Sequence, residues 1–201
     1  MYRGLNTALP LLMVLLAGCA GQGTQEPAQR SWMEHSARLR EFSHWSASGK
    51  LALRTSDRAE SASIQWQQRG TDTHLQLSGP MGLNATTIHS NGRQMELRQG
   101  ETVRTWDIST PDAIANSTGW DLPLHALPYW LKGLPSPDTG IQALELDPER
   151  AVLRKLRQDD WEIEFEFYDQ FEGFRLPTRL QIQRGTTRAR MIIREWQTLP
   201  G

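Results

Sequence analysis

Trp161-Glu162-Ile163-Glu164-Phe165-Glu166-Phe167 is the most regular stretch of the chain. Apolar and acidic residues alternate there without a break, which is the period of a β-strand and not of a helix. One face of such a strand meets a core and the other meets water, as in an antiparallel sheet. Glu162, Glu164 and Glu166 share the wet face. They read as a solvated surface and not as paired catalytic carboxylates.

The same period recurs on both sides. Downstream, Leu180 and Ile182 form a run, Arg184-Gly185-Thr186 turns, and Met191 to Trp196 is the last run. Upstream lie Val152 to Leu156, the turn Asp147-Pro148-Glu149-Arg150, and Ala143, Leu144 and Leu146. Further upstream, Leu51 and Leu53 alternate with polar neighbours, as do Ala62, Ile64 and Trp66. Leu75 and Leu77, Met95 and Leu97, and Trp106 and Ile108 complete the series. Arg69-Gly70-Thr71, Ser78-Gly79-Pro80, Asn91-Gly92 and Gln99-Gly100 punctuate these runs, and Asn-Gly is a strong hairpin signal. The pattern predicts an antiparallel meander of about ten or eleven short strands.

Two regions break the period. Residues 31–45 read as an amphipathic helix, with Ser31 as cap and Glu34 at capping-box spacing. Trp32, Leu39 and Phe42 share its apolar face, with His35 or Ser36 between. In residues 111–135, Pro111, Pro123, Pro128 and Pro135 punctuate short helical pieces. Leu122, Leu124, Leu127, Trp130 and Leu131 would pack them over the sheet.

The beginning of the chain is different in kind. Arg3 is followed by an apolar run from Ala8 to Ala17, too short for a membrane span, which needs roughly 20 apolar residues. It has the size of an export-signal core. Leu16-Ala17-Gly18-Cys19 resembles the lipobox of bacterial lipoproteins. Residues 1–18 are therefore expected to be a signal peptide, with Cys19 the lipid-bearing first residue of the mature protein. Residues 19–30 are then a lipidated flexible tether, and 31–201 form one domain. Ala20 after the cysteine, in place of Asp, implies the outer membrane by resemblance to the lipoprotein sorting rule.

Composition excludes several functions. The formal charge of the whole chain is −1, and losing Arg3 with the signal makes it −2. That balance argues against nucleic-acid binding, which needs a basic footprint. Cys19 is the only cysteine, so neither an internal disulfide nor a thiolate metal cluster is possible. His35, His44, His74, His89 and His125 are not at metal-ligand spacing. No nucleophile elbow, P-loop or dinucleotide fingerprint occurs. The chain is expected to be no enzyme. Its eight tryptophans and five phenylalanines fill a core or line a cavity, and sequence period does not separate the two.

Gly79-Pro80-Met81-Gly82-Leu83 sits between two strands. Pro80 fixes its own φ, and the flanking glycines permit a tight turn. Such a turn would push Met81 outward, as a contact residue on a stiff loop. The bland alternative is a loop tip folded back on the protein.

Several segments together resemble the outer-membrane lipoprotein receptor family LolB. They are Trp45-Ser46-Ala47-Ser48-Gly49-Lys50-Leu51-Ala52-Leu53, Ser63-Ile64-Gln65-Trp66, Leu75-Gln76-Leu77-Ser78-Gly79-Pro80-Met81-Gly82, Leu127-Pro128-Tyr129-Trp130-Leu131-Lys132-Gly133 and the lipobox. The resemblance covers nearly the whole mature chain. It implies a mainly β fold with α: an incomplete (half) antiparallel β-barrel of about eleven strands with a helical lid. It implies a receptor that accepts acylated lipoproteins from the periplasmic carrier LolA in an apolar cavity. The receptor then inserts them into the outer membrane, working as a lipid-anchored monomer on its periplasmic face.

The family's protruding leucine corresponds here to Met81, the expected membrane or cargo insertion hook. Candidate cavity residues are Leu51, Leu53, Ile64, Trp66, Leu75, Leu77, Leu97 and Phe165. The resemblance implies no cofactor beyond covalent lipid on Cys19, S-diacylglycerol and N-acyl. The alternative reading is a lipid-anchored sensor or scaffold of the cell envelope on the same half-barrel.

Overall fold

The period-two runs become eleven strands in a single antiparallel sheet. The computed structural model describes residues 27–82, 85–108 and 122–201. Helix α1 (Pro27–Glu41) comes first, then β1 (His44–Arg54), β2 (Ala59–Arg69) and β3 (Asp72–Ser78). A 3₁₀ turn (Pro80–Gly82) leads on to β4 (Thr86–Ser90), β5 (Gln94–Gln99) and β6 (Thr102–Asp107). Helix α2 (Leu127–Leu131) precedes β7 (Ile141–Asp147), β8 (Val152–Gln158), β9 (Trp161–Phe171), β10 (Phe174–Arg184) and β11 (Thr187–Thr198).

The spatial order is β6-β5-β4-β3-β2-β1-β11-β10-β9-β8-β7. The chain starts in mid-sheet, zigzags to one edge, crosses to the other edge and returns to pair β11 with β1. This open sheet is the expected incomplete barrel. Buried residues alternate with exposed ones along β2, β3, β5 and the first half of β9. The helices cover the buried face, α1 against β7 and α2 against β10.

Two glycines are required by close approach. A Cβ on Gly49 would stand 2.0 Å from the Ile192 carbonyl oxygen, where the β1–β11 register shifts at a bulge. Gly133 has φ +76°, and a Cβ there would lie 2.8 Å from the Tyr168 hydroxyl. That contact lets the segment after α2 settle onto β9.

The structure differs from the sequence reading in four places. The first helix runs Pro27–Glu41 instead of 31–45, so Ser31 lies inside it and residues 27–30 are helix rather than tether. Proline is well tolerated at the first position of a helix. His44 and Trp45 belong to β1. Thr86–Ser90 adds a strand that no apolar run announces, because Ile88 is its one apolar residue. Finally, Phe167 is 55% exposed, although it continues the apolar alternation of Trp161, Ile163 and Phe165. The β9–β10 register shifts between Pro177 and Leu180, and this reverses the facing of Phe167. Its ring lies 4.8 Å from the Arg179 guanidinium, a cation–π contact. The signal, Cys19, the tether through residue 26 and the helical pieces expected at 111–121 lie outside the described residues.

Candidate functional site

The concave face of β1–β6 is not filled. Two hollows lie end to end along it. The outer one, about 680 Å³, is lined by Leu51, Leu53, Leu77, Leu97 and Trp106, with Arg58, Glu60 and Arg104 also in its wall. It reaches Gly79 and Pro80, at the foot of the 3₁₀ turn. The inner one, about 440 Å³, is lined by Trp45, Trp66, Leu75, Ile88, Met95 and Tyr129, with Gln68, Ser90 and Lys132 among them. Strand geometry explains the division. Along β2, Ala62 faces the outer hollow and Trp66 the inner one. Ile64, between them on the same face, lines neither. Both volumes are in the range of ligand-binding cavities.

The sequence-derived cavity residues are all buried in one apolar cluster. Leu51, Leu53, Leu77 and Leu97 line the outer hollow, and Trp66 and Leu75 the inner one. Phe165 is 4% exposed on β9, in the packed half of the sheet, and borders neither hollow. At the turn, the Gly82 N–H donates to the Gly79 carbonyl at 3.1 Å. The side chain of Met81 lies outside the described residues.

Buried polar groups hold the lid in place. The Lys132 ammonium donates to the carbonyls of Leu39 (3.0 Å) and Phe42 (2.9 Å), just where α1 ends. Those carbonyls lack helical partners, so the lysine caps α1 and ties it to α2. Burial holds its pKa down at about 8. Gln158, fully buried, accepts from Trp130 Nε1 (2.9 Å) and from the Ser136 N–H (2.8 Å). It also donates to the carbonyls of Ser136 and Thr139. At the other end of the lid, His35 Nε2 donates to the Arg175 carbonyl at 3.1 Å. Phe42 stacks on Phe174 at 4.5 Å.

The expected cavity residues did not include Trp45, Ile88, Met95 or Lys132, which line the inner hollow; Met95 carries the same period-two signal as Leu97 in β5. Trp45 shares the phase of Leu51 and Leu53, a signal hidden by extending the helix through it. Lys132 carries no such signal, because a buried lysine looks like any surface lysine in a sequence.

Fold and hollows together define an open-barrel protein whose helix-covered apolar interior has room for a ligand. The family model described as "Outer membrane lipoprotein LolB" matches residues 43–196. The outer-membrane lipoprotein LolB of Chromohalobacter salexigens is 36% identical over 94% of this chain and 88% of its own length. That of Alkalilimnicola ehrlichii is 34% identical over 100% of both chains. A LolA superfamily protein from Nitrosomonas europaea shares the fold, with a TM-score of 0.52 at 12% identity over 86% of this chain and 94% of that one. A DUF1329 family protein from Desulfovibrio piger does so with a TM-score of 0.57 at 10% identity, over 85% of this chain and 93% of that one. The chain belongs to the outer-membrane lipoprotein LolB family. Membership makes it an outer-membrane lipoprotein receptor.

Proposed function

We propose that the protein takes the acyl chains of a lipoprotein from the periplasmic carrier LolA into its concave trough and releases them into the outer membrane. The observation that carries this reading is the pair of hollows aligned along one apolar sheet face. Each methylene kept from water contributes about 0.8 kcal/mol. A triacylated anchor therefore meets a barrier of tens of kcal/mol in free water, and a shielded path is needed. The protein acts without catalysis, cofactor or nucleotide, as a monomer. Transfer runs downhill in affinity, from carrier to trough to bilayer. Cys19 carries the lipid that holds the protein at the periplasmic face of the outer membrane. Met81 is the hook that enters the bilayer or meets the cargo's acyl chains.

The test is a two-step assay with purified carrier, acylated cargo, this protein and vesicles. Leu77→Arg puts a cation into the outer hollow and should block acceptance from the carrier, while Lys50→Ala on the convex face should not. Normal acceptance by Leu77→Arg would take the trough out of the mechanism.

A further inference from the structure

The inner hollow has a chemical bias that its apolar walls do not explain. Trp45 is fully buried, and its Nε1 has no hydrogen-bond partner among the described residues. Indole N–H donates and never accepts. Lys132 has three N–H donors. Two of them are used on the Leu39 and Phe42 carbonyls, and the third has no oxygen partner among the described residues. Asp138, an exposed carboxylate, and His125, whose Nδ1 has no hydrogen-bond partner among the described residues, line the same hollow. Its buried side-chain oxygens on the strands are engaged. Gln68 Oε1 receives Trp66 Nε1 (3.0 Å) and the Thr73 hydroxyl (2.8 Å). Ser90 Oγ receives the Gly92 N–H at 3.2 Å. Trp45, Gln68, Ser90 and Lys132 all line the same hollow. On its sheet side the wall is apolar apart from those engaged groups and Trp45 Nε1, a donor without an acceptor among the described residues. Across from it stands the Lys132 ammonium, which also lies 5.9 Å from the centre of the Tyr129 ring.

A buried donor without an acceptor is costly, so an occupant that brings oxygen lone pairs binds better than a plain hydrocarbon of the same shape. We propose that the inner hollow is a subsite for glyceride ester carbonyls, with Trp45 Nε1–H and the free Lys132 N–H donating to them. This rests on the trough being the acyl-binding site, and it adds an orientation: ester heads inward under α2, hydrocarbon tails outward past Leu77 and Leu97. Two lipids carry this chemistry, the diacylglyceryl anchor of a lipoprotein and a membrane phospholipid.

The experiment uses the full chain in nanodiscs of ether-linked phospholipid, which bring no ester carbonyl. Two probes are compared: a synthetic triacylated cysteinyl peptide with ester-linked glyceryl chains, and its analogue with ether-linked chains of equal length. The ester peptide should bind about tenfold tighter, the worth of a buried hydrogen bond left unmade in the analogue. It should also shift the Trp45 indole N–H resonance, and the ether peptide should not. Trp45→Phe and Lys132→Met should each narrow the preference, read as the ratio of ester-peptide to ether-peptide affinity in the same variant. Since Lys132→Met also loosens α1, the indole resonance of the unaltered protein is the deciding readout. A shift on moving to ester phospholipid discs, without peptide, would support the subsite and assign it to membrane lipid. Equal affinity for the two peptides with a silent indole resonance would overturn the subsite alone. Failure of both peptides to bind would overturn the trough reading beneath it.

Discussion

Lys132 shows how much a single residue decides here. Its stem is buried between the lid and the inner hollow, and its head satisfies two helix-end carbonyls. Burial lowers its pKa from 10.5 to about 8. The folded protein therefore gives up this proton more readily than the unfolded chain. Between about pH 8 and pH 10.5 the unfolded state holds more protons, so the contribution of Lys132 to stability rises with pH. Below about pH 8 the slope disappears and the cost of burying the charge is felt in full. The effect cannot exceed about 1.4 kcal/mol per pH unit. Tyr129 and Tyr168, whose phenols burial pushes upward, act in the opposite sense only at higher pH. Urea unfolding of the wild type and of Lys132→Met, at about pH 7.5 and pH 9.5, isolates the lysine. The difference between the two proteins should shift in favour of the wild type on going to the higher pH. Parallel behaviour at both values would mean that the ammonium is solvated in the folded state.

At the scale of elements, legibility depended on how many inward positions are apolar. The first half of β9 buries Trp161, Ile163 and Phe165, and its alternation was plain. The inward positions of β4 are Thr86, Ile88 and Ser90, so periodicity there is silent. Phe167 could not be placed from the alternation, because the bulge that turns it outward leaves Glu166 of β9 without a partner on β10, and only the pairing of the two strands reveals it. The Asn91-Gly92 hairpin was legible for a local reason: Asn91 Oδ1 accepts from the N–H groups of Arg93 and Gln94, and Gly92 has φ +82°. The 3₁₀ turn at Pro80–Gly82 is likewise local. As a hook on this turn, Met81 should tolerate truncation. Met81→Ala should change stability by no more than about 0.5 kcal/mol, as at a surface site, whereas a buried methionine would lose about 2–5 kcal/mol. The variant should accept cargo from the carrier yet insert it poorly into vesicles. Met81→Glu should insert worse, because a carboxylate resists an apolar medium, and Met81→Leu should work normally. A large drop in melting temperature for Met81→Ala, or wild-type insertion by Met81→Glu, would remove the hook.

Across the whole molecule, one continuous sheet is covered in two different ways. Nothing in the local pattern announces that β1 pairs with β11 or that the ends of the sheet stay apart; the half-barrel was legible only through family resemblance. The two halves differ in how they are filled. Strands β8–β10 pack against both helices through Trp130 on Trp161 at 6.2 Å, Gln158 on the crossing segment and Phe42 on Phe174. Strands β1–β6 face the hollows. Stability and transport should therefore separate by position along the sheet. Leu180, 0% exposed on β10, is in the packed half, and Leu97, 9% exposed, borders the outer hollow. Leu180→Ala opens a new cavity in a filled region and should cost about 3–5 kcal/mol. Molecules that remain folded, assayed well below their melting temperature, should still accept cargo at the wild-type rate. Leu97→Gln opens no new cavity, since its amide can reach into space that already exists. Its cost should stay near about 2 kcal/mol, the transfer free energy of one leucine. It should nevertheless weaken acceptance of acylated cargo, because each chain would have to desolvate an amide to pass. Denaturant unfolding and the carrier-to-receptor step, measured on both variants, should give opposite rankings. The same ranking in both assays would mean that the hollows are incidental gaps in a uniform core and that cargo binds elsewhere.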